Sequence, residues 1–262
     1  MNTRQLVGTV AGLMLLAACA QPAQPAAPGA SSAASVPATS AGASDGNDIE
    51  GFMGAVVAAQ RAVRTYAIDM RMQAPVAGSQ TEIVMKGVID QTDPANINMR
   101  MDMDMGGLAM KTLKVDGDMY VQLGATGTKW MKVPKDQMAQ YESTTDSADL
   151  TVGLEKAKGA MKSIDLVGEE AVDGVATKHY RITVDAKGLS SITGSDASLA
   201  DEDFAYDVWL DASSRLRKVA MDVTARADGE DLPLKVAATM GRYDEPVSIT
   251  APAAKDVVEM DG

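Results

Sequence analysis

Apolar and polar residues alternate in one short segment after another beyond residue 65, and this period of two constrains the fold more than any other feature. The alternation is clearest over 97–105, where methionines at every second position are separated by Arg100, Asp102 and Asp104. Successive side chains of a strand point to opposite faces, so such segments predict antiparallel strands with one apolar and one hydrated face. The predicted strands are 66–72, 83–90, 97–105, 108–115, 118–123, 129–133, 164–170, 177–185, 204–210, 216–226, 232–243 and 247–250.

Four segments depart from this period. Residues 48–64 repeat apolar side chains at helical spacing after Asp48, a suitable N-cap, and predict one amphipathic helix with Phe52, Val56, Ala59 and Val63 on one face. Residues 135–142 and 149–162 contain Gln, Ala, Glu, Lys and Leu rather than β-branched runs, and predict a helix each. Residues 187–202 are polar and rich in Ser and Gly, which is typical of a loop or a short helix.

This order of elements predicts an α+β fold. Long sheets curl, and too few helices are predicted to cover both faces of this one. We therefore expect a single, strongly curved antiparallel sheet that forms a half-open β-barrel. The N-terminal helix and the mid-chain helical insert are expected to pack on its concave side.

The N-terminus predicts export and lipid attachment. Arg4 is followed by an apolar stretch too short to span a bilayer, and then by Leu16-Ala17-Ala18-Cys19, the pattern of a bacterial lipobox. We expect residues 1–18 to be a signal peptide and Cys19 to carry the lipid. Residues 19–47, rich in Ala, Pro and Ser, are expected to form a disordered tether. The folded domain is predicted over 48–262, held on the outer face of the cell membrane.

Composition argues against several classes of protein. Cys19 is the only cysteine, so no disulfide or zinc-thiolate site can form within the chain. The net charge of −12 argues against nucleic acid as a partner. No Gly-x-Ser-x-Gly motif is present, and the lone His179 has the parity of an outward strand residue. The carboxylates at 169–170 and 201–203 are adjacent in sequence and read as solvated charge. We expect a monomer that is not an enzyme and has no metal or cofactor.

Several motifs together resemble the LppX/LprAFG-type lipoproteins, a branch of the LolA/LolB-like superfamily. The resemblance lies in the lipobox and its tether, in the hairpin Ile164–Arg181, in Tyr206–Asp211 with Leu216–Val219, and in the closing segment Pro246–Pro252. It covers most of 48–262. The resemblance implies a half-open barrel whose apolar cavity accepts acyl chains of lipids or lipoglycans moving through the cell envelope.

The methionine ladder over 99–105 has three interpretations. Methionine fills an ordinary sheet core, or it lines a cavity for acyl chains because its unbranched thioether adapts to varied shapes. The third interpretation is Cu(I) binding, which needs thioethers from a neighbouring strand because ladder residues on one strand stand about 7 Å apart. The residues predicted to line a lipid cavity share the apolar parity of their strands. They are Met70, Met72, Ile83, Met85, Met99, Met101, Met103, Met110, Val121, Tyr180, Ile182, Val208, Val219 and Met221.

Function is therefore predicted as a membrane-anchored lipoprotein that binds acyl chains and carries lipid in the cell envelope. The alternative is a non-catalytic interaction or sensor module that contacts an envelope protein and holds no ligand. Tyr120 and Trp130 are predicted to pack across the sheet, with a place at the cavity mouth as their alternative.

Overall fold

The structure is a computed structural model, and it describes residues 48–76, 79–124, 127–135, 137–138, 158–185, 198–199, 203–227 and 230–259. The described residues form one α-helix, α1 (Ile49–Ala62), one short 3-10 helix (Ala254–Asp256) and thirteen strands. The strands are β1 (Thr65–Val76), β2 (Ser79–Asp90), β3 (Asn98–Met105), β4 (Leu108–Val115), β5 (Asp118–Leu123), β6 (Trp130–Lys132), β7 (Met161–Val172), β8 (Val175–Asp185), β9 (Ser198–Leu199), β10 (Asp203–Asp211), β11 (Leu216–Ala227), β12 (Glu230–Gly241) and β13 (Val257–Glu259).

All thirteen strands within the described residues belong to one large, curved, open sheet. Its order is β13-β6-β5-β4-β3-β2-β1-β12-β11-β10-β8-β7, and β9 pairs with the far end of β11. The strands before the predicted insert therefore lie on one side of β1, and β7, β8 and β10 to β12 lie on the other. Every pair is antiparallel except β13 with β6, which is parallel. The expectation of a purely antiparallel sheet is wrong at this one edge.

Helix α1 begins where the sequence predicts. The Asp48 carboxylate accepts a hydrogen bond from the backbone N–H of Gly51 at 2.8 Å and caps the first turn. Phe52, Met53 and Val56 are buried against the sheet, and Met53 is 1% exposed. The predicted face is correct at Phe52 and Val56, and Val63, directly after the helix, is also buried. Ala59 is only half-buried, because Val57 and Gln60 are the buried residues of that turn.

Two hairpins follow from the turn residues. Asp116 and Gly117 between β4 and β5 have φ values of 51° and 77°, and Asp173 and Gly174 between β7 and β8 have 49° and 78°. Positive φ at both central residues is the type I′ geometry, whose twist matches that of the flanking strands. Asp-Gly adopts it at low cost, which explains why the chain reverses at these two positions.

The mid-chain insert and the C-terminus differ from expectation. Most of 135–162 lies outside the described residues, but the predicted helix over 149–162 is wrong at its end, because β7 begins at Met161 and pairs with β8. Most of 187–202 also lies outside them, and Ser198–Leu199 is a short strand. No strand forms over 247–250. Pro246 and Pro252 bracket this segment and lack the N–H that a sheet ladder needs, and Ile249 packs on the sheet surface instead.

We call the sheet face that carries α1 the inner face, and the opposite one the outer face. Their membership follows strand by strand from the pairing register. The largest buried cluster joins α1 to the inner side chains of β1, β2, β7, β8, β10, β11 and β12. The core therefore lies between the helix and the inner face.

Candidate functional site

The pairing register places all fourteen predicted cavity residues on the inner face. On one side of the sheet, Tyr180 pairs with Val208, and Val208 with Val219. Val219 then pairs with Ala238, which pairs with Met70. In the next row, Ile182 and Met221 reach Met72 and Ile83 through Tyr206 and Val236. On the other side, Met99, Met101 and Val121 follow the same parity through Ile89, Gly87 and Thr112.

Four methionines form one continuous row across neighbouring strands. Met70 faces Met85, Met85 faces Met103, and Met103 faces Met110, on β1 to β4 in turn. Directly paired side chains have Cβ atoms about 4.5–5.5 Å apart, so each thioether adjoins the next. All four residues are half-buried. We call these four residues the methionine row.

The outer face behind the methionine row is charged. Asp69, Lys86, Asp102 and Lys111 pair in the same order on the same four strands, so each charge is followed by its opposite. The Lys86 ammonium lies 2.6 Å from the Asp69 carboxylate. On these four strands the sheet is therefore apolar on one face and charged on the other. Each residue of the methionine row is adjacent in sequence to a residue of the charged row.

Gly87 leaves room on the inner face for the side chain of Met101. A Cβ atom at this position would lie 2.0 Å from Sδ of Met101 and 2.7 Å from the carbonyl oxygen of Arg100. The Met101 side chain therefore lies flat across the backbone of β2. Only glycine leaves room for this contact, which explains the break in the apolar parity of β2.

Thirteen of the fourteen predicted cavity residues fall into three groups, and the half-buried Met85 belongs to none of them. Those packed in the core under α1 are Met72, Ile83, Ile182, Val208, Val219 and Met221, with Met70, Met103 and Tyr180 at its margin. Met99 packs with Val63, Tyr66 and Ile89 where α1 ends, and Met101 adjoins them. Val121 packs with Met119, Val133 and Met138, next to Met110. The apolar surface of the inner face extends from β8 to β5.

Phe52 connects α1 to this surface. Its ring meets that of Tyr180 edge-on, with centroids 4.9 Å apart. Burial raises the pKa of the Tyr180 hydroxyl above its ordinary value, so the group is neutral and available as a hydrogen-bond donor. Glu50 in the first turn of α1 forms an ion pair with Lys158, three residues before β7 begins.

One inner-face residue that sequence reasoning missed is Tyr206. It has the parity of Val208 and lies between Ile182 and Met221 in the register. Among the described residues, its hydroxyl and Gln60 Oε1 are the buried side-chain polar atoms without a hydrogen-bond partner. Strand parity was the signal that could have found Tyr206, but the sequence gives no sign that its hydroxyl is unpaired.

The outer face carries a different cluster around His179. Its ring stacks on Trp209 with centroids 4.2 Å apart, and its Nε2 lies 2.8 Å from Oδ1 of Asp207. Arg181 donates two hydrogen bonds to the same carboxylate. Burial opposes ionisation of Asp207, but the Arg181 and His179 hydrogen bonds outweigh it and lower its pKa. These polar groups satisfy one another, and none faces the inner surface.

Tyr120 and Trp130 also lie on the outer face. They pack with Leu113 and Val115 beneath Ile249 and Val257 of the C-terminal segment. Tyr120 pairs with Lys132, and Trp130 pairs with Val257. They therefore pack together on the sheet, as predicted, and do not lie at the mouth of an inner-face cavity.

Two sites of other kinds are not found in the described part of the chain. No three His, Cys, Asp or Glu side chains there come close enough together to hold a metal ion. Within the same residues, no helix has the length and apolar character needed to cross a bilayer.

Comparisons with known proteins give one family match and several solved structures at low sequence identity. Residues 55–249 match the LppX_LprAFG lipoprotein family. The structure resembles LprF from Mycobacterium bovis at 14% identity, with a TM-score of 0.53, over 79% of this chain and 98% of that one. LppX from Mycobacterium tuberculosis is 15% identical with a TM-score of 0.48, over 77% and 98% of the two chains. A LolA superfamily protein from Nitrosomonas europaea is 12% identical with a TM-score of 0.32, over 76% and 94%. No curated protein matches the sequence.

Proposed function

The chain belongs to the LppX_LprAFG lipoprotein family, and from that premise we propose that its inner face binds the acyl chains of a lipid or lipoglycan. In this proposal the protein is a non-catalytic carrier in the traffic of lipids through the cell envelope. The observation that carries the proposal is the apolar inner face, which continues past α1 onto the half-buried methionine row.

The chemistry of this surface suits acyl chains. Burying apolar area contributes about 25 cal/mol per Å², and methionine side chains repack around chains of different shape at low cost. The charged row directly behind, from Asp69 to Lys111, keeps the other surface in water. A lipid therefore gains only by entering on the inner side.

The anchor fits the same role. Lipid on Cys19 would hold the chain at the outer face of the membrane. A flexible tether over 20–47 would then give the domain a root-mean-square reach of about 30 Å. That distance keeps the inner face close to a supply of membrane lipid and raises the effective concentration of acyl chains.

The test compares two matched triple variants of the full chain, purified from the native host. The inner variant is Met85→Gln, Met103→Gln and Met110→Gln, and the outer variant is Lys86→Gln, Asp102→Gln and Lys111→Gln. Both variants place one glutamine on each of β2, β3 and β4, and on each strand the two substituted positions are adjacent in sequence. Non-covalent lipid is extracted with organic solvent and measured by mass spectrometry, because a covalent anchor stays with the protein.

We expect lipid with the wild-type chain and with the outer variant, and a loss of most of it in the inner variant. Glutamine is close to methionine in shape but brings an amide that must be desolvated against the acyl chain. Equal lipid in both variants, or none in the wild type, would contradict the proposal.

A second candidate is an interaction module that contacts an envelope protein. Leu166 and Val167 favour it, because they are 56% and 54% exposed side by side on β7. β7 is an edge of the sheet, and its register shifts at this point. Changing both residues to Ser tests it: loss of a cross-linked partner with lipid retained would support this candidate, and an unchanged cross-linking pattern would contradict it.

A further inference from the structure

The Tyr206 side chain lies in the buried core of the inner face, among apolar side chains. Tyr206 is 2% exposed, and its cross-strand neighbours are Ile182 on β8 and Met221 on β11. The nearest ring on its own strand is that of Phe204, at 6.3 Å between centroids. Its hydroxyl has no hydrogen-bond partner among the described residues. A strong donor is therefore removed from water without an acceptor from that part of the chain.

Packing does not account for this hydroxyl. Removing a phenolic O–H from water without a replacement partner opposes folding, so a phenylalanine of the same shape would be the better core residue. Phe204 occupies the same face of β10 two positions earlier, so the strand accommodates that ring. Burial also raises the pKa of Tyr206, which keeps its hydroxyl neutral and able to donate.

We propose that the Tyr206 hydroxyl donates a hydrogen bond to an acyl oxygen of the ligand when lipid occupies the inner face. This inference rests on the proposed function and adds to it the chemistry recognised, namely the carbonyl oxygen of a carboxyl or ester group. The protein would then distinguish an oxygen-bearing acyl lipid from a hydrocarbon chain of equal length.

The position of Tyr206 fits such a contact. Its row continues through Met221 and Val236 to Met72, which is two residues from Met70 on β1. Three strand spacings separate β10 from β1, on the order of 15 Å. An acyl group held at Tyr206 would thus extend its chain along the inner face toward the methionine row. Met221 has three rotatable side-chain bonds, so it is the neighbour that can turn aside to admit the oxygen.

The experiment measures dissociation constants of palmitic acid and methyl palmitate for the full chain and its Tyr206→Phe variant, by displacement of a fluorescent fatty acid. The control is Tyr120→Phe, which removes a hydroxyl from the outer face. Palmitic acid labelled with ¹³C at its carbonyl adds an NMR signal that reports a hydrogen bond to this oxygen.

We expect Tyr206→Phe to weaken the binding of palmitic acid about tenfold and to shift the bound carbonyl resonance. The empty variant should unfold at a higher temperature than the empty wild type, because it no longer buries an unpaired hydroxyl. Tyr120→Phe should leave the affinity and the resonance unchanged. Parallel weakening of methyl palmitate assigns the contact to the carbonyl, and weakening of the acid alone assigns it to the carboxylate.

Equal affinities and equal carbonyl shifts for wild type and Tyr206→Phe would overturn the inference while leaving the proposed function in place. A lower unfolding temperature of the empty variant would also overturn it, since the hydroxyl would then have a partner inside the protein. Failure of the wild type itself to bind either probe would overturn the proposed function, and the inference with it.

Discussion

The imidazole of His179 and the indole of Trp209 stack across β8 and β10, with centroids 4.2 Å apart and ring planes 14° apart. The Lys218 ammonium lies 4.1 Å from the centroid of the same indole, so the register of three strands puts a histidine, a tryptophan and a lysine side by side. The Trp209 N–H donates to the Glu170 carboxylate. This arrangement buries a large aromatic side chain on the outer face of the sheet.

Replacing His179 by Ala is expected to lower the free energy of unfolding by about 1–2 kcal/mol, because it removes the aromatic stack and the Asp207 hydrogen bond. The cluster lies on the outer face, so acyl binding should not change. Chemical denaturation measures the first quantity, and displacement of a fluorescent fatty acid measures the second. Lys111→Ala, an exposed change on the same face, serves as the control. A loss of acyl binding with unchanged stability would place the cluster in the ligand site and contradict this assignment.

Gly87→Ala is expected to cost about 2–3 kcal/mol of folding stability, in the range of overpacked cores. The added methyl meets Met101 Sδ and also the backbone oxygen of Arg100, and only the first can move aside. Adding Met101→Ala should therefore restore only part of the loss.

Gly54→Ala is expected to change folding stability in the opposite direction. Nothing lies within 4 Å of a Cβ atom at Gly54, which is exposed on α1, so alanine should stabilise the protein by up to about 1 kcal/mol. Thermal unfolding of Gly54→Ala, of Gly87→Ala and of the Gly87→Ala, Met101→Ala double variant measures the three changes in stability. Full recovery in the Gly87→Ala, Met101→Ala variant would show that the backbone contact is not limiting.

Asp211→Asn is expected to cost about 2–3 kcal/mol. The Asp211 side chain is 5% exposed and accepts hydrogen bonds from the backbone N–H groups of Ser213 and Arg215 and from both arginine side chains, Arg215 and Arg217. Asp222→Asn is the matched control, because Asp222 and its partner Lys235 are both about two-thirds exposed. That change should cost less than about 0.5 kcal/mol. Equal losses in the two variants would contradict the importance given to burial.

The same carboxylate predicts a pH dependence. Burial alone would raise the pKa of Asp211, but hydrogen bonds from Arg215, Arg217 and Ser213 outweigh it, and the pKa is lowered. A lowered folded-state pKa stabilises the fold at any pH above the unfolded value of about 3.9, and this contribution is lost as the pH falls through the folded-state value. Unfolding followed from pH 7 to pH 2 should show the wild type and Asp211→Asn converging at the acid end. Parallel curves would contradict the expected contribution.

Local pattern explains most of the sheet, and contacts between distant segments explain what it leaves out. The parity of Met103 and Met110 is readable because the tight turn at Gly106-Gly107 fixes their register. The end of the predicted 149–162 helix is not readable, because Met161 pairs with Val184, a distant residue. Nothing local signals the parallel pairing of β13 with β6 either.

The candidate site likewise has features that local sequence pattern predicts and features that it does not. Alternation alone assigns the fourteen predicted residues to one face, and the register agrees with that assignment. Their role in lipid binding stays a prediction. Hydrogen bonding within the core cannot be read from parity, so the unpaired hydroxyl of Tyr206 and the stack of His179 on Trp209 emerge only once the strands are assembled.

The most direct test of acyl binding at the inner face is photo-cross-linking with a palmitic acid that carries a diazirine near its methyl end. The full chain is irradiated with this probe, digested, and the labelled residues are identified by mass spectrometry. We predict labels on the methionine row, at Met70, Met85, Met103 or Met110, and their loss with excess unlabelled palmitic acid. Labels confined to the charged row behind it, at Asp69, Lys86, Asp102 or Lys111, or no displaceable label at all, would contradict the account.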